Sequence, residues 1–223
     1  PLLLIVDDIG ISFGGVQAAK QISFTAQPGK ITSVIGPNGA GKTTVLNIIG
    51  GFYKPDEGSV QLGEKISGTA AHSIARAGVS RTYQTTQLFE QMSLRENILI
   101  ALRQGQLGGL LSHCSQEDLT IADGLLEFVG YSGAVNAIAG NLPHVDKRLV
   151  EIARALATRP KILLLDEPAA GLMSEDKAQL AGLLRVIADA GIAVILVEHD
   201  MSLVMGISDH VVVLDAGASL MQG

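Results

Sequence analysis

The sequence predicts an α/β fold built on a mainly parallel sheet, with an antiparallel β part at the N-terminus and an inserted all-helical subdomain. Three observations predict it. Short apolar runs typical of buried strands alternate with helical segments, as in parallel sheets. A glycine-rich loop joins one of these runs, Ile31–Ile35, to the next helix. Helical periodicity then continues without a strand signal across residues 85–158 before the alternation resumes.

The composition is that of a globular protein with a large core. The chain has 223 residues, 47% of them hydrophobic and 17% charged, and its net charge is −6. Since it has no basic cluster, we expect no nucleic-acid partner. The single Cys114 cannot form an internal disulfide, and there is no apolar run of about 20 residues to span a membrane. Because the chain starts with proline and stops within a hairpin pattern, we expect a fragment of a longer polypeptide.

The N-terminal part reads as short strands separated by turns. Leu3–Val6 and Ile22–Ala26 are the first two, with turns at Gly14-Gly15 and Pro28-Gly29. Ile31–Ile35 is the third strand and leads into the glycine-rich loop and its helix. The elements predicted after that helix are the strand Ser59–Leu62, a short helix at His72–Ala77 and the extended run Val79–Gln84.

The glycine-rich loop matches the phosphate-binding pattern G-x-x-x-x-G-K-[ST], and it lies between a strand and a helix as this motif requires. Its glycines allow successive N–H groups to point inward, and the helix contributes the positive end of its dipole. The lysine supplies a full charge, and the first threonine hydroxyl can bind Mg²⁺. The loop therefore predicts a P-loop NTPase core, with the nucleotide bound by Gly36, Asn38, Gly39, Ala40, Gly41, Lys42, Thr43 and Thr44.

The segment from Thr85 to Thr158 reads as helical. Ser93 and Glu96 form a capping box that opens a helix through about Arg103. Three glycines then indicate a loop before two further helices. These segments are, in order, the loop Gln104–Leu111, a helix over Gln116–Val129 that stops at Gly130, and a helix over Lys147–Ala157.

The α/β core resumes after Pro160. Ile162–Leu165 is a continuous apolar run, as expected for a strand buried on both faces. Ser174 is expected to cap a helix that ends near Gly191. A second apolar strand at Ile192–Val197 follows, and then an edge hairpin of Val211–Leu214 and Ser219–Met221. The sequence thus indicates one domain, with a core of residues 1–84 and 159–223 and a helical subdomain of residues 85–158.

Two carboxylates, Asp166 and Glu167, stand at the end of the buried strand Ile162–Leu165. Ligands of open α/β sheets bind outside the carboxyl ends of the strands. Asp166 is placed to hold the Mg²⁺ that Thr43 also contacts. Glu167 lies one residue further, where it can act as a general base on a water aimed at the terminal phosphate.

With these residues the sequence resembles the nucleotide-binding subunit of ATP-binding cassette (ABC) transporters, and the resemblance covers nearly the whole chain. It implies ATP and Mg²⁺ as cofactors. Gln84 matches the family's Q-loop, which contacts Mg²⁺, the γ-phosphate and the membrane subunit. Ala169–Leu172 falls where the D-loop lies, and His199 matches the switch histidine that orients Glu167 and the water. Phe13 lies where an aromatic residue stacks on adenine; a core phenylalanine is the alternative.

Five further segments resemble the ATPases of branched-chain amino-acid uptake systems, although related importers of hydrophobic solutes share them. This resemblance implies ATP hydrolysis that powers import, on the cytoplasmic face of the membrane. The implied partners are a second ATPase subunit, permease subunits or a fused permease domain and, indirectly, a substrate-binding protein. The five segments are Phe13–Gly15, Arg81–Gln84, Leu88-Phe89 with Met92-Ser93, Ala139–Leu142 and Glu151–Leu156.

The sequence departs from the family in one segment. Where the family signature reads Leu-Ser-Gly-Gly-Gln before a helix, this chain has Leu142, Pro143, His144, Val145 and Asp146. Pro143 has neither hydroxyl nor N–H, Val145 is bulky where backbone must approach phosphate, and Asp146 is negative. One interpretation is a tolerated variant in which His144 donates a hydrogen bond. The other is a signature that contributes poorly to a partner's ATP site.

Two other functions stay open at this point. A soluble ABC-type ATPase acting in DNA repair or on ribosomes is disfavoured by the acidic charge and by the lack of basic segments. A regulatory nucleotide-binding module without hydrolysis is disfavoured by Asp166, Glu167 and His199 and favoured by the altered signature.

Overall fold

The computed structural model describes residues 2–103 and 115–223; Cys114 and the predicted loop Gln104–Leu111 lie outside these residues. The chain forms two compact units. One contains residues 1–81 and 161–223, and the other contains residues 82–160. The chain therefore passes from the first unit to the second directly after Arg81, so that Gln84 belongs to the helical unit.

The strands of the first unit form one sheet, whose order over the described residues is β5-β4-β1-β2-β10-β9-β3-β8-β7-β6. Its central strands β9, β3, β8, β7 and β6 run parallel. The strands are β1 Leu4–Phe13, β2 Val16–Ala26, β3 Ile31–Ile35, β4 Glu57–Leu62, β5 Glu64–Lys65, β6 Val79–Arg81, β7 Ile162–Asp166, β8 Ala193–Val197, β9 His210–Asp215 and β10 Ala218–Gln222.

The predicted buried strands are confirmed. Every residue of β7 and β8 is buried, as is every residue of β3 except Ile35. Burial on both faces explains the continuous apolar runs Ile162–Leu165 of β7 and Ala193–Val197 of β8, whereas β3 also buries Thr32 and Ser33. The phosphate loop follows the end of β3, Asp166 is the last residue of β7, and His199 lies two residues after the end of β8.

The antiparallel N-terminal part is longer than the sequence indicated. β1 and β2 form a hairpin around Gly14-Gly15, paired from Leu4 with Ala26 to Phe13 with Val16. The register shifts between Val6 and Ile11, so the alternation of apolar and polar residues breaks there. This irregularity is why the local pattern revealed only parts of each strand.

The C-terminal hairpin was predicted at the edge of the sheet, and that prediction is wrong. β9 pairs in parallel with β3, from Thr32 with His210 to Ile35 with Val213. β10 pairs with β9 and, through Ala218 and Lys20, with β2. The hairpin therefore joins the central parallel strands to the N-terminal antiparallel part.

The helices of the first unit are α1 Lys42–Ile49, α2 Ala71–Ala77, α6 Ser174–Asp189 and α7 Met201–Ile207. α1 follows the phosphate loop as predicted. Ser174 does not cap α6, because the N-cap is Met173 and Ser174 is already the first helical residue. The extended run predicted at Val79–Gln84 ends as a strand at Arg81.

The helical unit contains α3 Leu94–Leu102, α4 Gln116–Phe128 and α5 His144–Ala157. The predicted capping box of α3 is confirmed, since the Ser93 hydroxyl accepts from the Glu96 N–H and Glu96 accepts from the Ser93 N–H. α5 begins at His144, three residues before the predicted start. Of the helices formed by the described residues, none is both long and apolar enough to cross a membrane.

Candidate functional site

The loop between β3 and α1 curls because two of its glycines lie against neighbouring backbone. A Cβ on Gly36 would stand 2.1 Å from the carbonyl oxygen of Leu214, and one on Gly41 would stand 2.4 Å from that of Ala18. Gly41 also has φ +95 as the N-cap of α1, a left-handed conformation that favours glycine. No larger residue fits these two positions without moving a strand.

Lys42 is buried, with 6% of its surface exposed. Its ammonium donates to the carbonyl oxygens of Gly36 and Pro37 at 2.8 and 2.9 Å. Burial lowers the pKa of Lys42, while the nearby carboxylates of Glu167 and Asp166 act in the opposite direction. The Lys42 side chain therefore folds back onto the loop. Its charge lies next to the position where phosphate oxygens bind in this motif.

A cavity of about 210 Å³ opens at the loop. Ala40 is buried and does not line this cavity, while the side chain of Glu167 reaches it from the end of β7. The structure therefore brings the predicted phosphate-binding residues and the predicted general base to one space. The lining residues are Ala18, Asn38, Gly39, Gly41, Lys42, Thr43, Thr44 and Glu167.

Asp166 is buried at the end of β7 and pairs with Arg81, whose Nη2 donates to Oδ2 at 2.9 Å. Burial raises the pKa of Asp166, and the Arg81 guanidinium opposes that rise. Arg81 also donates to Asn47 at 2.5 Å and lies over the ring of Phe52. Arg81 and Asn47 were not predicted as site residues, because only the pairing of β6 with β7 places Arg81 beside Asp166, and Asn47 contacts Arg81 from α1.

Glu167 and His199 are in direct contact, with the imidazole Nε2 hydrogen-bonded to the carboxylate Oε1. Glu167 has φ +49, a left-handed conformation that is rare for residues other than glycine. This turn lifts the carboxylate away from β7 toward the loop cavity. The structure thus places the predicted base and the predicted switch histidine together, although 32 residues separate them in the chain.

Phe13 ends β1 with 44% of its surface exposed, so it is not a core residue of the strand. Its ring lies 5.0 Å from that of Tyr53 in an edge-to-face arrangement. Such a pair fixes the ring while leaving part of it open. The alternative interpretation of Phe13, a phenylalanine buried in the core, is therefore wrong.

Gln84 lies in the helical unit, in a segment bound to α5. Arg148 donates to the carbonyl oxygens of Tyr83 at 2.8 Å and Gln84 at 2.9 Å. Glu151 accepts from the Gln87 N–H at 3.3 Å and pairs with Arg148 at 3.0 Å. Buried charges need such partners, and these ones fix the backbone on either side of Gln84.

The altered signature opens α5. Pro143 is the N-cap, with Leu142 before it, and His144, Val145 and Asp146 form the first helical turn. Val145 is helical and does not have a positive φ, so its β-branched side chain causes no left-handed backbone strain there. Asp146 is favourable in a first turn, where a carboxylate meets the positive end of the helix dipole. The bulk of Val145 and the missing N–H of Pro143 remain as predicted.

Comparison with known proteins agrees with this geometry. The profile of the family described as "ABC transporter" matches residues 19–170. The chain is 42% identical to the high-affinity branched-chain amino acid transport ATP-binding protein BraF of Pseudomonas aeruginosa, over 99% of this chain and 91% of that protein. It is equally similar, with the same coverage, to the corresponding protein LivG of Salmonella typhimurium.

The fold is also that of solved structures. An ATP-binding cassette of an ABC transporter in its ADP conformation superposes with a TM-score of 0.89 at 31% identity, covering 100% of this chain and 91% of that one. Family profile, relatives and fold all agree with a phosphate loop that faces a carboxylate and a histidine. The chain therefore belongs to the ABC transporter family, within which it is an ATP-binding domain that hydrolyses ATP.

Proposed function

We propose that this ATPase powers an importer of branched-chain amino acids or a similar small hydrophobic solute. The observation that carries the proposed catalytic site is the contact of Glu167 with His199 beside the loop cavity that Lys42 also lines. The transport substrate is supported by the names of the two relatives above, which are 42% identical over nearly the whole chain. Transport selectivity itself belongs to other subunits.

The phosphate groups of ATP bind the loop of residues 36–44. Lys42 exchanges its bonds to the Gly36 and Pro37 carbonyls for bonds to phosphate oxygens. The N–H groups at the start of α1, from Gly41 to Thr44, face the same space and favour negative charge. Phe13 stacks on the adenine, in keeping with its exposed ring.

Thr43 and Asp166 would hold Mg²⁺, and Gln84 is the further ligand that the family resemblance implies. The donor set fits, because hydroxyl, carboxylate and amide oxygens are the ligands that Mg²⁺ takes from proteins. Among residues 2–103 and 115–223, no cluster of three acidic or metal-binding side chains forms a complete cage. The ion supplies neutralisation of phosphate charge when it is bound.

Glu167 is the general base that takes a proton from the attacking water. His199 holds the carboxylate through Oε1 and contributes to the γ-phosphate environment, in which the family resemblance also implies Gln84. A positioned base contributes about 10²–10⁴ in rate. The left-handed backbone at Glu167 is consistent with this role, since strain of this kind clusters at functional sites.

The second half of the ATP site comes from another ATPase subunit, in a homodimer or a heterodimer. In such a pair, the segment Leu142–Asp146 of this chain faces the partner's ATP. Pro143 and Val145 make this signature weaker than one with a hydroxyl and bare N–H groups. In a heterodimer with a partner whose signature is intact, one of the two sites then hydrolyses ATP faster than the other.

The remaining partners are permease subunits or a fused permease domain and, indirectly, a substrate-binding protein, with this chain on the cytoplasmic face. Residues 1–81 and 161–223 serve as the ATP-binding core and residues 82–160 as the part that contacts the permease. Gln84 lies in the segment that Arg148 binds, where it can transmit ATP binding to that contact.

The substitution Glu167→Gln tests the proposal. The variant should bind ATP with unchanged affinity, and its phosphate release should fall by about 10²–10⁴, because the amide cannot accept the proton. Glu175→Gln, in the exposed first turn of α6, is the matched control and should hydrolyse ATP at the normal rate. Sustained hydrolysis by Glu167→Gln would remove Glu167 as the base.

The altered signature alone suggested a regulatory module that binds ATP without hydrolysing it, whereas the family and the relatives favour the transport ATPase. Phosphate release by the wild-type chain with its partner subunits separates the two. Release that Glu167→Gln abolishes supports the transport ATPase, and binding without any release supports the module.

A further inference from the structure

Glu198 is a buried carboxylate that the proposed mechanism does not use. It follows the last residue of β8 and precedes His199, with only 3% of its surface exposed. Its Oε1 accepts from the Ala169 N–H at 2.7 Å, and its Oε2 accepts from the His199 N–H at 3.0 Å. One side chain therefore binds backbone on both sides of the catalytic pair.

The bond to Ala169 joins the ends of two different strands, and the bond to His199 orders the turn that follows β8. Ala169 lies two residues after Glu167, beyond the end of β7, while His199 lies beyond the end of β8. A second link is the Glu167 N–H, which donates to the Val197 carbonyl at 2.9 Å. The turn that carries Glu167 is thus fixed to the turn that carries His199 at two points.

Hydrogen bonds to a carboxylate are shorter and stronger than bonds between neutral groups, and more so where water is excluded. A buried carboxylate is also costly unless its oxygens are bonded. Glu198 meets this requirement with two backbone donors from the catalytic turns themselves. Loss of the bond to Ala169 would remove one of the two links between the turns, and loss of the bond to His199 would loosen the turn that carries this histidine.

We infer that Glu198 is a positioning residue for ATP hydrolysis, which sets the placement of Glu167 against His199. This inference rests on the proposed role of Glu167 as the base. Glu198 lines no part of the loop cavity and acts only through the two turns. Misplacement of a reacting group by about 1 Å can lower a rate about 100-fold. Loss of this support should therefore lower kcat rather than ATP affinity.

The first test needs no activity. Amide hydrogen exchange of the purified, isotopically labelled full chain is followed by NMR for Glu198→Gln and Glu198→Ala. The amides of Ala169 and His199 should exchange about tenfold faster or more in Glu198→Ala, while those of α1 keep their wild-type rates. Glu198→Gln keeps one acceptor oxygen, so it should release one of the two amides more than the other. Glu64→Gln, in the exposed strand β5, is the matched control.

The second test separates positioning from folding. For Glu198→Ala, kcat for each bound ATP should fall about 10- to 100-fold, with the Kd for ATP within twofold of wild type. Glu198→Gln should lie between Glu198→Ala and wild type. A kcat that falls only in proportion to the folded fraction, or unchanged exchange at Ala169 and His199, overturns the inference.

The same experiments distinguish failure of the inference from failure of the proposed function. If Glu167→Gln hydrolyses ATP normally, Glu167 is not the base, and the exchange rates alone then report whether Glu198 anchors the two turns. If Glu167→Gln is inactive while Glu198→Ala keeps full kcat, the base stands and the positioning role of Glu198 is refuted.

Discussion

Replacement of Glu151 by alanine should destabilise the protein severely. Arg148 and Glu151 are each 1% exposed at the side chain, and their nitrogen and oxygen lie 3.0 Å apart. Glu151→Ala leaves the Arg148 guanidinium buried with backbone carbonyls but no carboxylate. Breaking a buried pair in this way costs about 3–5 kcal/mol. At about 2–4 °C per kcal/mol for a chain of this size, Tm should fall by about 6–20 °C.

The matched control is Asp189→Ala, which breaks the exposed pair between Arg185 and Asp189 on α6. Exposed pairs of this spacing contribute under about 1 kcal/mol, so the Tm of this variant should change little. Differential scanning calorimetry of both variants gives the comparison. Equal losses in Tm would refute the argument from burial.

A double variant tests the same reasoning from the other side. Arg148→Met with Glu151→Leu removes both buried charges and fills the space with apolar groups. Such replacements are often neutral or stabilising, so the double variant should unfold at a higher temperature than Glu151→Ala. If the double variant is the less stable of the two, the bonds from Arg148 to the Tyr83 and Gln84 carbonyls outweigh the ion pair.

Three further predictions follow from the core and the signature. Gly36→Ala should prevent ATP binding or folding, because its Cβ would stand 2.1 Å from the Leu214 carbonyl oxygen. Gly39→Ala has open space around its Cβ and a φ of +83, so it should lower the free energy of unfolding by only about 1–2 kcal/mol. ATP titration measures binding by both variants, and urea unfolding measures their stability. Burial alone would raise the pKa of Asp209, but hydrogen bonds from Arg185, the Ile31 N–H and Lys30 outweigh it and lower that pKa. A lowered pKa stabilises the folded state at pH values above the unfolded pKa of about 3.8. Asp209→Asn should therefore lower the free energy of unfolding by about 1.5–3 kcal/mol at pH 7, and by progressively less as the pH falls below 4. Urea unfolding at several pH values measures this loss. Val145→Gly should raise ATP hydrolysis by the assembled complex if the signature is weak, and an unchanged rate of phosphate release would refute that idea.

The phosphate loop and the buried strands were predictable because their signals are local. The motif of residues 36–44 and the apolar runs of β3, β7 and β8 each depend on neighbours in sequence. The position of the C-terminal hairpin was not predictable, since it depends on the pairing of Ala218 with Lys20 from opposite ends of the chain.

The supporting charges of the site were missed for a similar reason. In the sequence, Arg81 and Glu198 look like ordinary exposed charges next to an apolar run. Their burial becomes visible only when β6 and β8 pair on either side of β7. Ser174 shows the opposite error, because a favourable capping residue lies one position inside the helix, where no local signal separates the two alternatives.

The central position of the C-terminal hairpin has a consequence for synthesis on the ribosome. The phosphate motif is translated early, yet Gly36 packs against the Leu214 carbonyl and Gly41 against backbone near Gly217. A nascent chain that lacks these residues contains the motif but not the backbone against which its glycines pack. The ability to bind ATP should therefore arise only after Gly217 has been translated, which delays nucleotide capture until both units have been made.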